Sequence, residues 1–281
     1  MTDQPPLTHP PLPTIHLIYT TTAFPRPTQE DLVQAIQAIV GCSKDQEIKA
    51  LWTFQEAQKC LGQIQIGLHT IQVAGLASPL PQEIVDCTIH TSPWQPQIKA
   101  AMRQHQSHLS LVYGGSAYDP VEKMIALYQA AHAFAGEDLL GIVNENAWTA
   151  HPPADTLNPD KIRGFRQDLP LNLWVGTVKF YVDEKNYWLV TKGHHIFDVP
   201  DLAYFVRDDE DEAQIIKHFI NIFYYLFEQD VFVTAGDTLE ISQRGHFLKF
   251  SEVPEGADFL MGPSGTLVIE KIHPDDLSQP D

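Results

Sequence analysis

The stretch CLGQIQIGLHTIQVAGLASPLP, residues 60–81, carries the pattern that decides the fold class. Ile64, Ile66 and Leu68 alternate with polar residues, which is the period of a half-buried β-strand. The flanking segments ALWTF and DCTIHTS also have the composition of strands. Residues 50–92 therefore predict two or three antiparallel strands.

Elements of both kinds continue toward the N-terminus and through the first half. TIHLIYTT predicts a strand, followed by a helix that Thr28 caps and Gly41 ends. HLSLVYGG predicts another strand. Asp119 and Pro120 then begin a strongly apolar helix, and LLGIVNE follows it as a strand.

The second half repeats this mixture. LPLNLWVGTVKFYVDEKNYWLVTKG predicts a β-hairpin with its turn at residues 183–186, and DDEDEAQ predicts the acidic first turn of an apolar helix that ends near Glu228. The segments VFVTAGDTLEIS, HFLKFS and TLVIEKI predict the closing strands.

The fold class that these elements predict is α+β, with mixed or antiparallel sheets, packed helices and two lobes of similar size. The predicted divisions are a disordered proline-rich arm (1–14), an N-terminal lobe (15–150), a connecting loop (151–166), a C-terminal lobe (167–273) and an acidic tail (274–281).

Composition excludes several classes of function. The chain has 36 acidic and 18 basic residues, a formal net charge of −18, so it would repel nucleic acid and anionic membranes. No apolar run is long enough to span a bilayer, and the N-terminus lacks the cationic and apolar regions of a secretory signal. The three cysteines share no paired spacing, which is typical of reduced thiols. We therefore expect a cytoplasmic protein without membrane insertion.

Motifs that imply a particular chemistry are absent from the sequence. It contains no phosphate-binding glycine loop, no H-E-x-x-H zinc motif and no G-x-S-x-G nucleophile turn. We expect no cofactor and no metal site.

The adjacent residues His194 and His195 in TKGHHIFDVPDL would point to opposite sides of a strand, so only one of them would join Asp198 in a shared site.

A second cluster, VNENAWTAHPP, follows a predicted buried strand. Glu145 and His151 are candidates for an acid and a base, whereas Trp148 and the asparagines suit structural roles in the loop.

The hairpin is rich in aromatic residues. Alternation along its strands would turn some of them outward, which predicts a protein-binding surface that includes Trp174, Tyr181 and Tyr187, with Trp148 as a further binding candidate.

Four segments resemble a bacterial family known as domain of unknown function 4261. They are ALWTFQEAQKCLGQIQIGLHTIQVAGLASPLP, DPVEKMIALYQAAHAFAGEDLLGIVNENAWTAHPP, LPLNLWVGTVKFYVDEKNYWLVTKGHHIFDVPDL and VFVTAGDTLEIS, and they extend from about Ala50 to Ser242. The resemblance implies no activity and no catalytic residues. Gly193, Pro200 and Asp201 fit the family pattern but His194 and His195 do not, so the resemblance implies that the histidines lie on a structural turn.

Three functions remain open. The leading hypothesis is a non-enzymatic protein that binds another protein, one with a basic surface, as an accessory, assembly or immunity-like factor. The alternative is a small-molecule hydrolase or metal-dependent enzyme with Glu145, His151, His194 or Asp198 between the lobes. The third is self-association through an edge strand near TLVIEKI.

Overall fold

The computed structural model describes residues 11–40, 47–208, 210–242 and 246–272. Residues 1–10 of the predicted arm, the predicted helix stop at Gly41 and the predicted acidic tail lie outside them. The described chain forms two units by the pattern of its contacts. The first contains Pro13–Phe180 and Thr191–Gly193, and the second contains Tyr181–Val190 and the residues from His194 onward. The proline-rich stretch 151–166 thus lies within the first unit.

The described residues contain two sheets, as the α+β class predicts. The first is formed by β1 (Thr14–Tyr19), β2 (Ile48–Gln55), β3 (Lys59–Ile66), β4 (His69–Leu76), β5 (Ser107–Tyr113), β6 (Leu139–Asn144) and β7 (Thr149–His151). The second is formed by β8 (Gly176–Tyr181), β9 (Tyr187–Lys192), β10 (Asp201–Val206), β11 (Thr238–Ser242), β12 (His246–Ser251) and β13 (Thr266–Ile272).

The helices are α1 (Gln29–Val40), α2 (Gln82–Thr88), α3 (Pro96–Arg103), α4 (Pro120–His132), α5 (Pro153–Thr156), α6 (Pro159–Gly164), α7 (Leu171–Trp174) and α8 (Glu212–Gln229). The first sheet has the strand order β2-β3-β4-β5-β1-β6-β7 and is antiparallel throughout. The second has the order β11-β12-β13-β10-β9-β8. Its β10 and β13 run parallel.

Helix starts follow the local signals in the sequence. The Thr28 hydroxyl accepts a hydrogen bond from the Asp31 N–H at 3.1 Å, as in a capping box. Asp119 caps α4 by accepting from the Val121 N–H at 2.9 Å, with Pro120 in the first helical position. Asp211 caps α8 in the same way. These predicted helices are confirmed.

The predicted strand at DCTIHTS is wrong, because this segment forms the end of α2 and the turn after it. Its β-branched residues favour a strand in isolation. In the fold, Val85 and Ile89 pack against Ile18 and Val143 of the first sheet, and the Thr88 hydroxyl donates to the Ile84 carbonyl one turn earlier. Tertiary burial therefore overrides the local preference.

The two faces of the first sheet differ. One face presents Ile15, Leu17 and Tyr19 of the interior strand β1, all fully buried, and α4 contacts β1, β4 and β5. On the other face α2 contacts β7 and α3 contacts β6, while side chains on β2, β3 and β4 alternate between buried and exposed. The first unit thus combines a closed apolar face with a partly open one.

Candidate functional site

The stretch TKGHHIFDVPDL folds as a structural turn. His194–Phe197 form one 3-10 turn, and the imidazole of buried His194 lies 5.1 Å from the ring of Phe223. Its Nδ1–H donates to the Pro200 carbonyl at 2.9 Å. Burial lowers the pKa of His194 to about 4, because desolvation disfavours the charged imidazolium. His194 is therefore a neutral, hydrogen-bonded residue of the core at pH 7.

The two carboxylates of this turn differ in burial. Asp198 is exposed and ends the turn with a left-handed φ of 57°. Asp201 is buried, and its Oδ1 accepts a hydrogen bond from the His194 N–H at 3.3 Å. The carboxylate that the turn encloses is therefore that of Asp201, while the Asp198 carboxylate faces solvent.

Trp174 does not lie on the hairpin, and it is not turned outward. It is the last residue of α7, is 0% exposed, and its ring contacts Phe165 edge-to-face at 5.7 Å. Pro170 precedes α7, and Gly176 begins the strand after it. The expectation of an exposed Trp174 is corrected because the indole belongs to the core of the first unit.

The hairpin leaves one of its predicted binding residues largely in solvent. Tyr181 is 67% exposed, with its ring centroid 5.4 Å from that of Tyr187. Tyr187 is half-buried, and its hydroxyl donates to Glu212 in the first turn of α8 at 2.5 Å. Tyr187 thus anchors the acidic helix start, and the exposed aromatic surface of the hairpin is smaller than its sequence predicts.

The loop between β6 and β7 is held rigidly. Its two asparagines bond to backbone: the Asn144 amide donates to the Leu173 carbonyl at 3.1 Å, and the Asn146 side-chain oxygen accepts from the Thr14 N–H at 2.9 Å. Half-buried Trp148 has a left-handed φ of 51°, an uncommon conformation for a bulky residue. Its ring lies beneath the Lys192 ammonium at 5.2 Å.

This loop places Glu145 beside two polar side chains of the sheet. His16 Nδ1 lies 2.8 Å from the Ser110 hydroxyl, and His16 Nε2 lies 3.3 Å from a Glu145 carboxylate oxygen. We call these three residues the His16 cluster. His16 and Ser110 lie directly opposite each other on β1 and β5. His16 is buried, whereas Ser110 and Glu145 are half-buried and reach solvent.

The electrostatics of the cluster favour an ionised Glu145. Contact with His16 lowers the pKa of Glu145, although partial burial of the carboxyl opposes the shift. When the imidazole carries its proton on Nε2, the nitrogen that faces the carboxylate, Nδ1 can accept the Ser110 hydroxyl hydrogen. The cluster therefore joins a hydroxyl, a base and a carboxylate.

His151 is not the partner of Glu145. Ala150 pairs with Val143, and Val143 pairs with His16, so these three residues lie on one face of the sheet. His151 follows Ala150 on the same strand and therefore lies on the opposite face. His151 Nε2 lies 3.0 Å from the Thr149 hydroxyl, and its ring meets Trp94 edge-on. Sequence reasoning selected Glu145 but missed His16 and Ser110, whose signal was a polar residue inside each of the apolar strands TIHLIY and HLSLVY.

The face of the first sheet that carries His16 also carries three exposed leucines. Leu51, Leu61 and Leu76 are 69%, 53% and 44% exposed. The registers Leu51↔Gln63 and Leu61↔Ala74 place them as diagonal neighbours on β2, β3 and β4. We call them the leucine face. Ala74 pairs in turn with Ser110, so this face extends toward the His16 cluster.

Within residues 11–40, 47–208, 210–242 and 246–272, no group of three or more His, Cys, Asp or Glu side chains is placed to hold a metal ion. Over the same part of the chain, every helix is too short or too polar to cross a bilayer.

A family model described as Domain of unknown function (DUF4261) matches residues 190–270. This segment belongs to the DUF4261 family. The DUF4261 match runs from the end of β9 into β13 and includes the His194 turn and α8, whereas the His16 cluster and the leucine face lie outside it. No curated protein and no solved structure matches the chain. The family description carries no activity.

Proposed function

We propose that the protein acts by binding another protein, and that the leucine face is its contact surface. The observation that carries the proposal is the diagonal row of Leu51, Leu61 and Leu76, all substantially exposed on adjacent strands. Single exposed leucines are common on soluble proteins, but contiguous apolar side chains on a rigid sheet are typical of binding sites. A sheet also presents them without the entropy cost of ordering a loop.

The partner that we propose has an apolar patch on a basic surface. The net charge of −18 would attract a basic protein over long range and raise its association rate. Lys49 and Lys59 lie on β2 and β3, the strands of Leu51 and Leu61. The basic groups of the partner are therefore expected to contact acidic surface beyond the leucine face. The proposal includes a cytoplasmic location in a bacterium and an accessory, assembly or immunity-like role.

The test compares two serine variants in a defined complex. The partner is isolated with the tagged chain, purified separately, and titrated against wild type, Leu61→Ser and Phe232→Ser by calorimetry. Phe232 is 85% exposed in the second unit and is the matched control. We expect Leu61→Ser to weaken binding at least about tenfold, as for a central interface residue, and Phe232→Ser to leave it unchanged.

Because both side chains are largely exposed, both variants are expected to retain the wild-type melting temperature. A partner that binds Leu61→Ser as tightly as it binds wild type would contradict the proposal. Sedimentation of the purified chain distinguishes self-association: a concentration-dependent dimer that Leu61→Ser abolishes would make a second copy the occupant of this face instead.

A further inference from the structure

The His16 cluster contains the three parts of a base-activated nucleophile. The Ser110 hydroxyl lies 2.8 Å from one nitrogen of His16, and the Glu145 carboxylate lies 3.3 Å from the other. Nucleophilic hydroxyls in acyl-transfer sites are activated by such an arrangement, in which a histidine takes the proton and a carboxylate orients the histidine. The arrangement is recognised by geometry and does not depend on the order of the residues in the chain.

The surroundings hold these parts in place and leave the hydroxyl accessible. His16 lies on β1, an interior strand between β5 and β6. Hydrogen bonds of Asn144 and Asn146 fix the loop of Glu145, whose backbone is strained at Trp148. Strained, well-ordered loops occur often at functional sites. The residue paired with Ser110 on β4 is Ala74, which is half-buried and carries only a methyl group. A reacting group can therefore approach Ser110 from the open side of the sheet.

We propose that Ser110 is a nucleophile that accepts the acyl group of small carboxylic esters, with His16 as its base and Glu145 as the positioning carboxylate. In the first step Ser110 Oγ bonds to the ester carbonyl carbon and its proton passes to His16 Nδ1. The bond to the alcohol oxygen then breaks, and the alcohol leaves with that proton. In the second step water bonds to the acyl carbon and gives a proton to His16 Nδ1. The bond from the acyl carbon to Ser110 Oγ then breaks, the carboxylic acid leaves, and His16 returns the proton to Oγ.

The inference does not depend on the leucine face, because neither His16, Ser110 nor Glu145 belongs to it. A purely structural reading is the competing one: the same contacts would tie β1, β5 and the β6–β7 loop together. The two readings differ in reactivity. A structural serine is inert toward acylating reagents. An activated serine reacts with them, and its reaction rate falls when its base is removed.

The test uses the full chain with a fluorophosphonate probe and with p-nitrophenyl acetate. The probe forms a bond from Ser110 Oγ to phosphorus, and fluoride leaves with the serine proton. We expect one adduct per chain, located at Ser110 by peptide mass spectrometry. Ser110→Ala should remove the adduct and the esterase activity. Ser116→Ala is the matched control, because Ser116 is exposed outside the cluster, and it should retain both.

The decisive variants change the base and its carboxylate. We expect His16→Gln to slow labelling at least about a hundredfold and Glu145→Gln at least about tenfold, with circular dichroism unchanged. Glu145 reaches solvent, so its variant keeps the test valid if His16→Gln does not fold. Absence of an adduct on folded wild-type protein overturns the proposal, and so does labelling of Ser110 at the wild-type rate in Glu145→Gln.

Discussion

Replacing His194 with asparagine is expected to reduce the loss of stability of the second unit at acid pH. Burial lowers the pKa of His194 from the ordinary 6.5 to about 4, so the folded chain holds it neutral where the unfolded chain protonates it. The folded pKa is depressed, and the folded state therefore loses stability as the pH falls from about 6.5 toward 4.

The magnitude follows from the size of the shift. A difference of about 2.5 pKa units corresponds to about 3 kcal/mol of unfolding free energy when the loss is complete. Roughly 1 kcal/mol of it is expected to be lost by pH 5.5 and most of it by pH 4.5. Asparagine does not titrate, and its amide N–H can replace Nδ1–H as the donor to the Pro200 carbonyl.

The assay is urea unfolding at pH 7.5, 6.5, 5.5 and 4.5, followed by circular dichroism. His194→Asn loses the ring contact with Phe223 and is expected to be less stable than wild type at pH 7.5, but the difference should shrink toward acid pH. His218 of α8 is half-buried, and burial lowers its pKa as well, so His218→Asn is the comparison variant and should remove less of the slope than His194→Asn. Parallel pH profiles of wild type and His194→Asn would refute the reasoning, as would an imidazole NMR titration of His194 near pH 6.5.

Three further substitutions test how the fold is held together, each by the unfolding free energy. Asp119→Ala removes the cap of α4 and is expected to cost about 1 kcal/mol of unfolding free energy. Asp119→Asn should retain most of the stabilisation by the cap. Equal losses in the two variants would show that the cap is not the cause. Gly262→Ala should cost several-fold more than Gly136→Ala, because the new methyl would lie 2.1 Å from the buried Asp201 Oδ2, whereas a methyl on Gly136 meets open space and Gly136 has no positive φ; similar values would contradict this packing. Asp198→Val should cost about 1–2 kcal/mol and Asp198→Gly almost nothing, since a β-branched residue is strained at a φ of 57°; no difference between them would argue against the left-handed turn.

Local chemistry explains which elements were predictable from the sequence. Thr28, Asp119 and Asp211 each cap the first turn of the helix that follows them. Because these contacts are local, the helix starts can be predicted from the sequence alone. Alternation predicted β3 and β4 but placed Leu68 on a strand, where the structure has the tight turn after Gly67.

The candidate site depends on contacts that no local pattern contains. His16 meets Ser110 and Glu145 because β1 inserts between β5 and β6 in the first sheet. The same insertion joins Thr14 to Asn146, which are 132 positions apart. The three groups lie on three separate segments, so no spacing in the sequence connects a hydroxyl, an imidazole and a carboxylate. The sequence pattern therefore indicated only Glu145 of the three, and it paired Glu145 with His151.

The parallel pair of β10 and β13 sets an order of events during synthesis of the chain. Asp201 pairs with Thr266, so β10 waits for a strand that the ribosome makes 65 residues later. At translation rates of about 5–20 residues per second, the wait lasts roughly 3–13 seconds. The strand made last among the six takes a place inside the sheet, between β12 and β10. Until then one edge of β10 is an unpaired template, and the nascent chain is open to mispairing or to capture by a chaperone.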